Sequence, residues 1–159
     1  MEFFKKNLLF FFIIFLMFSL DRISKIYAIN FFLDQNIQSY YFNDFLNFVL
    51  IWNTGIAFGI FESENILYHS ISVLIFIVIC ILIIWLIKSA QNFEKVSISL
   101  IIGGAFGNLF DRVVYNAVPD FIDIHYHDFH WFVFNVSDIV ITFGVILLLL
   151  KDLFSKKNV

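Results

Sequence analysis

Four long apolar stretches, at about residues 8–28, 66–87, 96–114 and 135–154, are separated by shorter polar segments. Each is close to the ~20 residues that a helix needs to cross hydrocarbon. The pattern predicts four transmembrane helices. The third stretch is the least apolar, because it carries Gly103, Gly104, Gly107, Asn108 and Asp111. An even number of spans puts both termini on one side. Lys5 and Lys6 precede the first span, Lys88 and Lys95 fall between the second and third, and Lys151, Lys156 and Lys157 close the chain. By the positive-inside rule these segments are cytoplasmic. Arg22, Lys25 and Arg112 then fall at the outer ends of spans.

The outer segments are about 29–65 and 115–134. The first is too long to lack structure. Its residues Phe45 to Trp52 read as a strand, followed by turn chemistry at Asn53-Thr54-Gly55. The second, with Phe129, Trp131, Phe132 and Phe134, has the same aromatic character, which suits a membrane interface. The expected fold is an all-α integral membrane protein: one domain over residues 1–159, four spans and a small extracytoplasmic β/loop element. The first apolar run ends in Asp21 and Arg22, with no small-x-small cleavage site after it. It reads as a retained helix rather than a cleaved signal peptide.

Composition agrees. The chain is 61% hydrophobic with mean hydropathy +0.90, too apolar for a soluble domain of this length. A net charge of −3 gives no sign of a nucleic-acid partner. One cysteine, Cys80, precludes an internal disulfide.

Against this background the polar blocks carry the chemistry, since a charge at mid-bilayer costs roughly 2.5–3.5 kcal/mol on insertion scales. Asp21 and Lys25 are four apart and can pair on one helical face. Gly103 and Gly107 form a Gly-x-x-x-Gly pair suited to close helix packing. Gly104, Asn108 and Arg112 continue at four-residue steps, and read as a groove for a peptide. Asp111 nears the C-terminal end of its helix, where the dipole disfavours it; it needs a cation, and Lys25 or Arg22 is at similar depth. Asp138 falls in the first turn of the fourth helix, where the dipole favours it. That position alone is also compatible with a plain helix-start carboxylate, and Asn135 or Ser137 could serve as the cap. Asp120 lies across a short outer segment from Asp138. Two carboxylates in one site do not readily both ionise, and such a pair supplies a general acid and a general base. His125, His127 and His130 are of the type that binds zinc, but no His-Glu-x-x-His helix accompanies them; no metal and no cofactor are expected. A small proton-coupled transporter is the alternative, although its charges should run as a file through several spans. A purely structural subunit would leave the Asn and Asp blocks without a purpose.

Taken in order, Asp21-x-x-Ser24-Lys25, Asn53-Thr54-Gly55-Ile56-Ala57-Phe58-Gly59, Gly103 to Arg112, Val118-Pro119-Asp120-Phe121 and Phe134-Asn135-Val136-Ser137-Asp138 resemble the blocks of the bacterial lipoprotein signal peptidases, the signal peptidase II family. The resemblance implies an intramembrane aspartic endopeptidase that cleaves diacylglyceryl-modified prolipoproteins before the lipidated cysteine. It implies a multi-pass protein of the bacterial cytoplasmic (inner) membrane, with an extracytoplasmic site. Its partners would be those precursors, membrane lipid and globomycin-type inhibitors. It makes Asp120 and Asp138 the catalytic pair. Asn53, Gly104, Asn108, Arg112 and Asn135 become substrate-binding residues, with Asp21, Lys25 and Asp111 as structural support. Two positions depart from the family's usual pattern: Ser137 stands where Ala is common, and Pro119 where an apolar β-branched residue is common.

Overall fold

The computed structural model describes residues 2–54 and 65–155. Helix α1 (Glu2–Gln35) leads into strands β1 (Ser39–Asn43) and β2 (Leu46–Asn53). Helices α2 (Asn65–Lys88) and α3 (Asn92–Tyr115) follow, then β3 (Val118–Tyr126), β4 (Phe129–Phe134) and α4 (Val136–Ser155). The four strands form one antiparallel sheet in the order β1-β2-β3-β4. The all-α description is therefore corrected: two interhelical segments far apart in sequence pair through β2 and β3, which the periodicity of neither segment alone could reveal. The strand expected at Phe45 to Trp52 is present as β2, shifted by one residue.

Helix α3 is central and packs against α1, α2 and α4. Its small residues permit this approach. A Cβ on Gly103 would fall 2.7 Å from Met17 Cβ and 2.9 Å from the Ile14 carbonyl of α1. On Gly104 it would fall 2.8 Å from both Ile141 Cγ1 and the Ser137 carbonyl of α4. Gly144 returns the relation, with Ile101 Cγ1 at 2.7 Å. Phe10, Ile79, Leu86, Ile98 and Ile102 form the buried apolar core. The serines of α3 add no unpaired hydroxyl to it: Ser97 and Ser99 donate to the carbonyls of Phe93 and Lys95.

Among the described residues two helices, at His69–Lys88 and Asn92–Tyr115, are long and apolar enough to cross a membrane by length and composition. The apolar window of α2 is only 11% buried, against 50% for α3, so α2 turns most of its surface outward. Large apolar side chains are likewise exposed on α1 (Leu9, Phe12, Phe15) and on α4 (Ile146, Leu149, Leu153).

Helix α1 runs past the expected end at residue 28 and stops only at Asn36. Asn36 adopts φ 51, and the Asn36 and Ile37 amides donate back to Leu33 and Phe32 carbonyls at 3.2 and 3.3 Å. This is a Schellman closure, with asparagine in the left-handed position usually taken by glycine. Asn116, with φ 53, ends α3 in the same conformation and redirects the chain into β3. Lys95, expected in an inner loop, is instead buried in the first turn of α3. Its Nζ donates to Asn7 Oδ1 at 2.8 Å and lies 5.2 Å from the Phe10 ring centroid.

Candidate active site

The register of β2 on β3 pairs Ile51 with Asp120 and Asn53 with Val118. Asp120 and Asn53 thereby come together, and Asn53 Nδ2 donates to Asp120 Oδ2 at 3.0 Å. The other carboxylate oxygen, Oδ1, accepts from Asn135 Nδ2 at 2.6 Å. Asp120 is only 3% exposed. Burial pushes its carboxyl up from the ordinary 3.8 to about 6; the nearby Asp138 charge adds to the rise, while Asn135, Asn53 and Lys25 oppose it.

Asn135 precedes α4 and serves as its cap. Its side-chain oxygen accepts the Asp138 amide at 3.2 Å, and its own amide donates to Asp138 Oδ2 at 3.1 Å. This reciprocal arrangement satisfies two backbone donors at the helix start, as in a capping box. It also answers which residue caps: Asn135 rather than Ser137. One side chain therefore contacts Asp120 directly and fixes the backbone turn that carries Asp138. The second oxygen of Asp138, Oδ1, accepts from Asn108 Nδ2 at 2.9 Å.

Behind Asn108 lies a buried ionic cluster. Lys25 Nζ contacts Asn108 Oδ1 at 2.8 Å, Asp111 Oδ2 at 2.6 Å and Asp21 Oδ1 at 3.0 Å. Arg22 takes Asp111 with both terminal nitrogens, Nη2 to Oδ2 at 2.7 Å, and reaches Asp21 at 2.8 Å. Asp111 thus has both cations considered for it. The cluster holds two carboxylates and two cations, so its formal charge sums to zero. Arg22 also lies 4.9 Å from the Phe110 ring centroid. Its pairing with Asp111 was expected from their similar depth; its contact with Asp21, the residue before it, was not. Asp21 Oδ1 further accepts the Ser137 amide of α4 at 3.1 Å. A side chain at Gly107 would run into Asp21 Oδ2 and Ser137 Oγ, so this glycine lets the cluster and α4 meet.

The glycine notch of α3, read from sequence as a groove for a peptide, faces neighbouring helices in this structure. The face of Gly104 is filled by Ile141 and the Ser137 carbonyl, and that of Gly103 by α1; both are packing contacts between helices. Arg112 is buried on α3, one turn beyond Asn108. The histidines gather at the β3–β4 hairpin. His130 Nδ1 lies 2.8 Å from Asp123 Oδ2, and its ring stacks on His125 at 5.2 Å. His125 is five residues along β3 from Asp120, roughly 16 Å at strand rise. The block from Gly55 to Gly59, Lys156 and Lys157 lie outside the described residues.

The sequence profile described as Signal peptidase (SPase) II matches residues 13–154. The chain belongs to the signal peptidase II family. It is 48% identical over 143 residues to the lipoprotein signal peptidase of Pelagibacter ubique, covering 89% of this chain and 86% of that protein. It is 38% identical over 132 residues to that of Clostridium tetani, covering 82% and 83%. A bacterial membrane enzyme solved by the in meso method at 2.3 Å resolution superposes with TM-score 0.78 at 30% identity, covering 94% of this chain and 90% of that one. Membership brings lipoprotein signal peptidase activity of the aspartic type, in a bacterial membrane. The transporter alternative is set aside.

Proposed function

We propose that Asp120 and Asp138 are the catalytic pair of this signal peptidase II, and that the substrate is a diacylglyceryl-modified prolipoprotein cut before its lipidated cysteine. The observation that carries the reading is the Asn135 bridge: its amide donates to Asp120 while its backbone and side chain hold Asp138. Asp138, at the positive end of the α4 dipole, is the ionised partner. Asp120, with its carboxyl held near 6, keeps its proton to about two pH units higher than an ordinary aspartate. Asp138 takes a proton from water as the oxygen attacks the scissile carbonyl. Asp120 polarises that carbonyl by donating to its oxygen, and Asp138, now protonated, delivers its proton to the leaving amine. Asp120 recovers its proton as the tetrahedral intermediate collapses.

Asn53, Asn108 and Asn135 hold the two carboxylates through the same amides that a peptide backbone would approach. Arg112 is the further candidate for the substrate side. Asp21, Lys25 and Asp111 support the site from beneath. The acyl chains stay in lipid or on apolar surface, which keeps them out of water. A cavity of about 380 Å³ lined by Phe121 of β3 with Tyr27, Phe31, Phe32, Tyr40 and Phe48 offers such surface. Four spans with both termini cytoplasmic put the pair at the extracytoplasmic edge; the exposed apolar faces of α1 and α4 support spans there too.

The test is cleavage by the purified protein of a diacylated precursor and its unmodified form, side by side. The diacylated precursor should be cut far faster, globomycin should block the reaction, and Asp120→Asn and Asp138→Asn should each be inactive. Substantial turnover by either variant would sink the pairing. Equal cleavage of both precursors would sink the substrate assignment.

A further inference from the structure

Lys25 is fully buried in α1, donates to Asp111 Oδ2 and Asn108 Oδ1, and pairs with Asp21 Oδ1 at 3.0 Å. An ammonium can only donate, and an ionised carboxylate can only accept. Asn108 stands between one of each, with Lys25 on its oxygen and Asp138 on its nitrogen. Its amide therefore has one compatible orientation. A half-turn would point NH2 at the ammonium and the carbonyl oxygen at the carboxylate, replacing two attractions with two repulsions. A second route runs from Lys25 to the same place. Asp21 Oδ1, the oxygen that Lys25 holds, accepts the Ser137 amide, one residue before Asp138. The first turn of α4 is thus tied to the ammonium as well.

We propose that Lys25 is a positioning residue for the peptidase reaction: by fixing the orientation of the Asn108 amide and the first turn of α4, it locks the Asp138 carboxylate in the plane from which it takes the proton of water. With Asn108 on Oδ1 and the Asn135 amide on Oδ2, neither oxygen of Asp138 is left to rotate. This rests on the reading of Asp120 and Asp138 as the catalytic pair. The charged groups around Lys25 are Asp21 and Arg22 of α1 and Asp111 of α3; the charges that bear on Asp120 are Asp138 of α4 and Lys25 itself. Removing Lys25 would also let Asp120 keep its proton to higher pH.

The experiment compares Lys25→Met, the charge-balanced Lys25→Met/Asp111→Asn and Asn108→Leu with the parent on a diacylated precursor. The readouts are kcat, KM, the pH–rate profile and the thermal midpoint. Lys25→Met should lose kcat by about 10- to 100-fold, the range of a lost charge-assisted hydrogen bond, with KM little changed. Its alkaline limb should move to higher pH. The charge-balanced variant should regain thermal stability but not kcat. Asn108→Leu keeps the four charges of the ionic cluster, though it removes one acceptor of Lys25, and should lose kcat to a similar extent, so the proposal stays testable if Lys25→Met does not fold. Recovery of kcat together with stability in the charge-balanced variant would make Lys25 a counter-ion only and overturn the proposal, as would an active Asn108→Leu. Asp120→Asn and Asp138→Asn in the same assay separate the two claims. If either turns over, the catalytic pair is wrong; if both are dead while Lys25 variants run at parental rate, only the positioning role fails.

Discussion

Replacing Asp120 by Asn should abolish cleavage and at the same time remove a pH-dependent weakness from the fold. The shift of its carboxyl from 3.8 to about 6 amounts to about 3 kcal/mol in favour of the neutral form, at ~1.4 kcal/mol per unit. The sign follows from linkage. The folded value lies above the unfolded one, so the folded state binds the proton more tightly. The stability this provides is fully present below about pH 4 and is lost as pH rises through about 6. Asparagine is neutral throughout and lacks that slope. At any single pH the gain is partly offset, because Asp120 accepts from both Asn53 and Asn135. An amide has one acceptor oxygen, so one of those donors would face NH2, at a cost of about 1–3 kcal/mol.

The informative measurement is therefore the difference between two curves. Unfolding of parent and Asp120→Asn would be followed in detergent from about pH 4 to 7.5. The parent should lose up to ~3 kcal/mol relative to the variant across that interval and run parallel to it above. Other carboxylates titrate in both proteins and cancel, except where they couple to Asp120. The same proton should give the parent enzyme an alkaline limb in its pH–rate profile, since Asp120 acts in its protonated form. Parallel stability curves over the whole range would refute the claim that the fold holds this proton. A rate that rises with pH through neutrality to a plateau would refute its role as the acid.

Other consequences follow from single contacts. Asn135→Ala should destabilise the protein by about 1 kcal/mol through loss of the α4 cap, yet lower kcat by more than that loss explains, as unfolding and steady-state rates together would show. Gly107→Ala forces a methyl group into Asp21 Oδ2 and Ser137 Oγ. Its thermal midpoint and activity should both fall, and an unchanged midpoint would mean that α1 and α4 are not held together there. A reporter inserted near Asn36 should read extracytoplasmic and one fused after Val159 cytoplasmic; the reverse pattern would put the pair on the wrong side.

The helices were legible because lipid demands long apolar runs, and the run lengths survive as α2, α3 and α4 to within a few residues. The end of α1 was not, because helix continuation from Ile29 to Gln35 depends on the first residue that accepts a left-handed backbone, Asn36, and not on hydropathy. Asp21 with Lys25, and Asp111 with its cations, could be paired from helical spacing and depth. The sheet could not, since Asn53 meets Asp120 only through a register between segments 67 residues apart. The glycine stripe was legible only in part. Small residues at four-residue steps fit a groove and a packing face equally well, and which neighbours they meet, Ile14 and Met17 at Gly103 and Ile141 at Gly104, is seen only in the fold.

The ionic cluster is better understood through that packing than through stability. Buried ion pairs seldom repay their desolvation, whereas breaking one by removing a partner is costly. Asp111 is placed against the dipole of α3, near its C-terminal end, and is fully buried. As a source of binding energy that is a poor choice. As a constraint it is effective. Asp111 on α3 and Asp21 on α1 share Arg22 and Lys25, and Asp21 also takes an amide of α4. A slip of any of the three helices by one turn would strand a charge in a dry interior. The cluster therefore selects one register among helices whose apolar faces would otherwise slide. Lys25 is the one member that reaches further, through Asn108 to Asp138, so the device that sets helix register also sets the geometry of the reacting group.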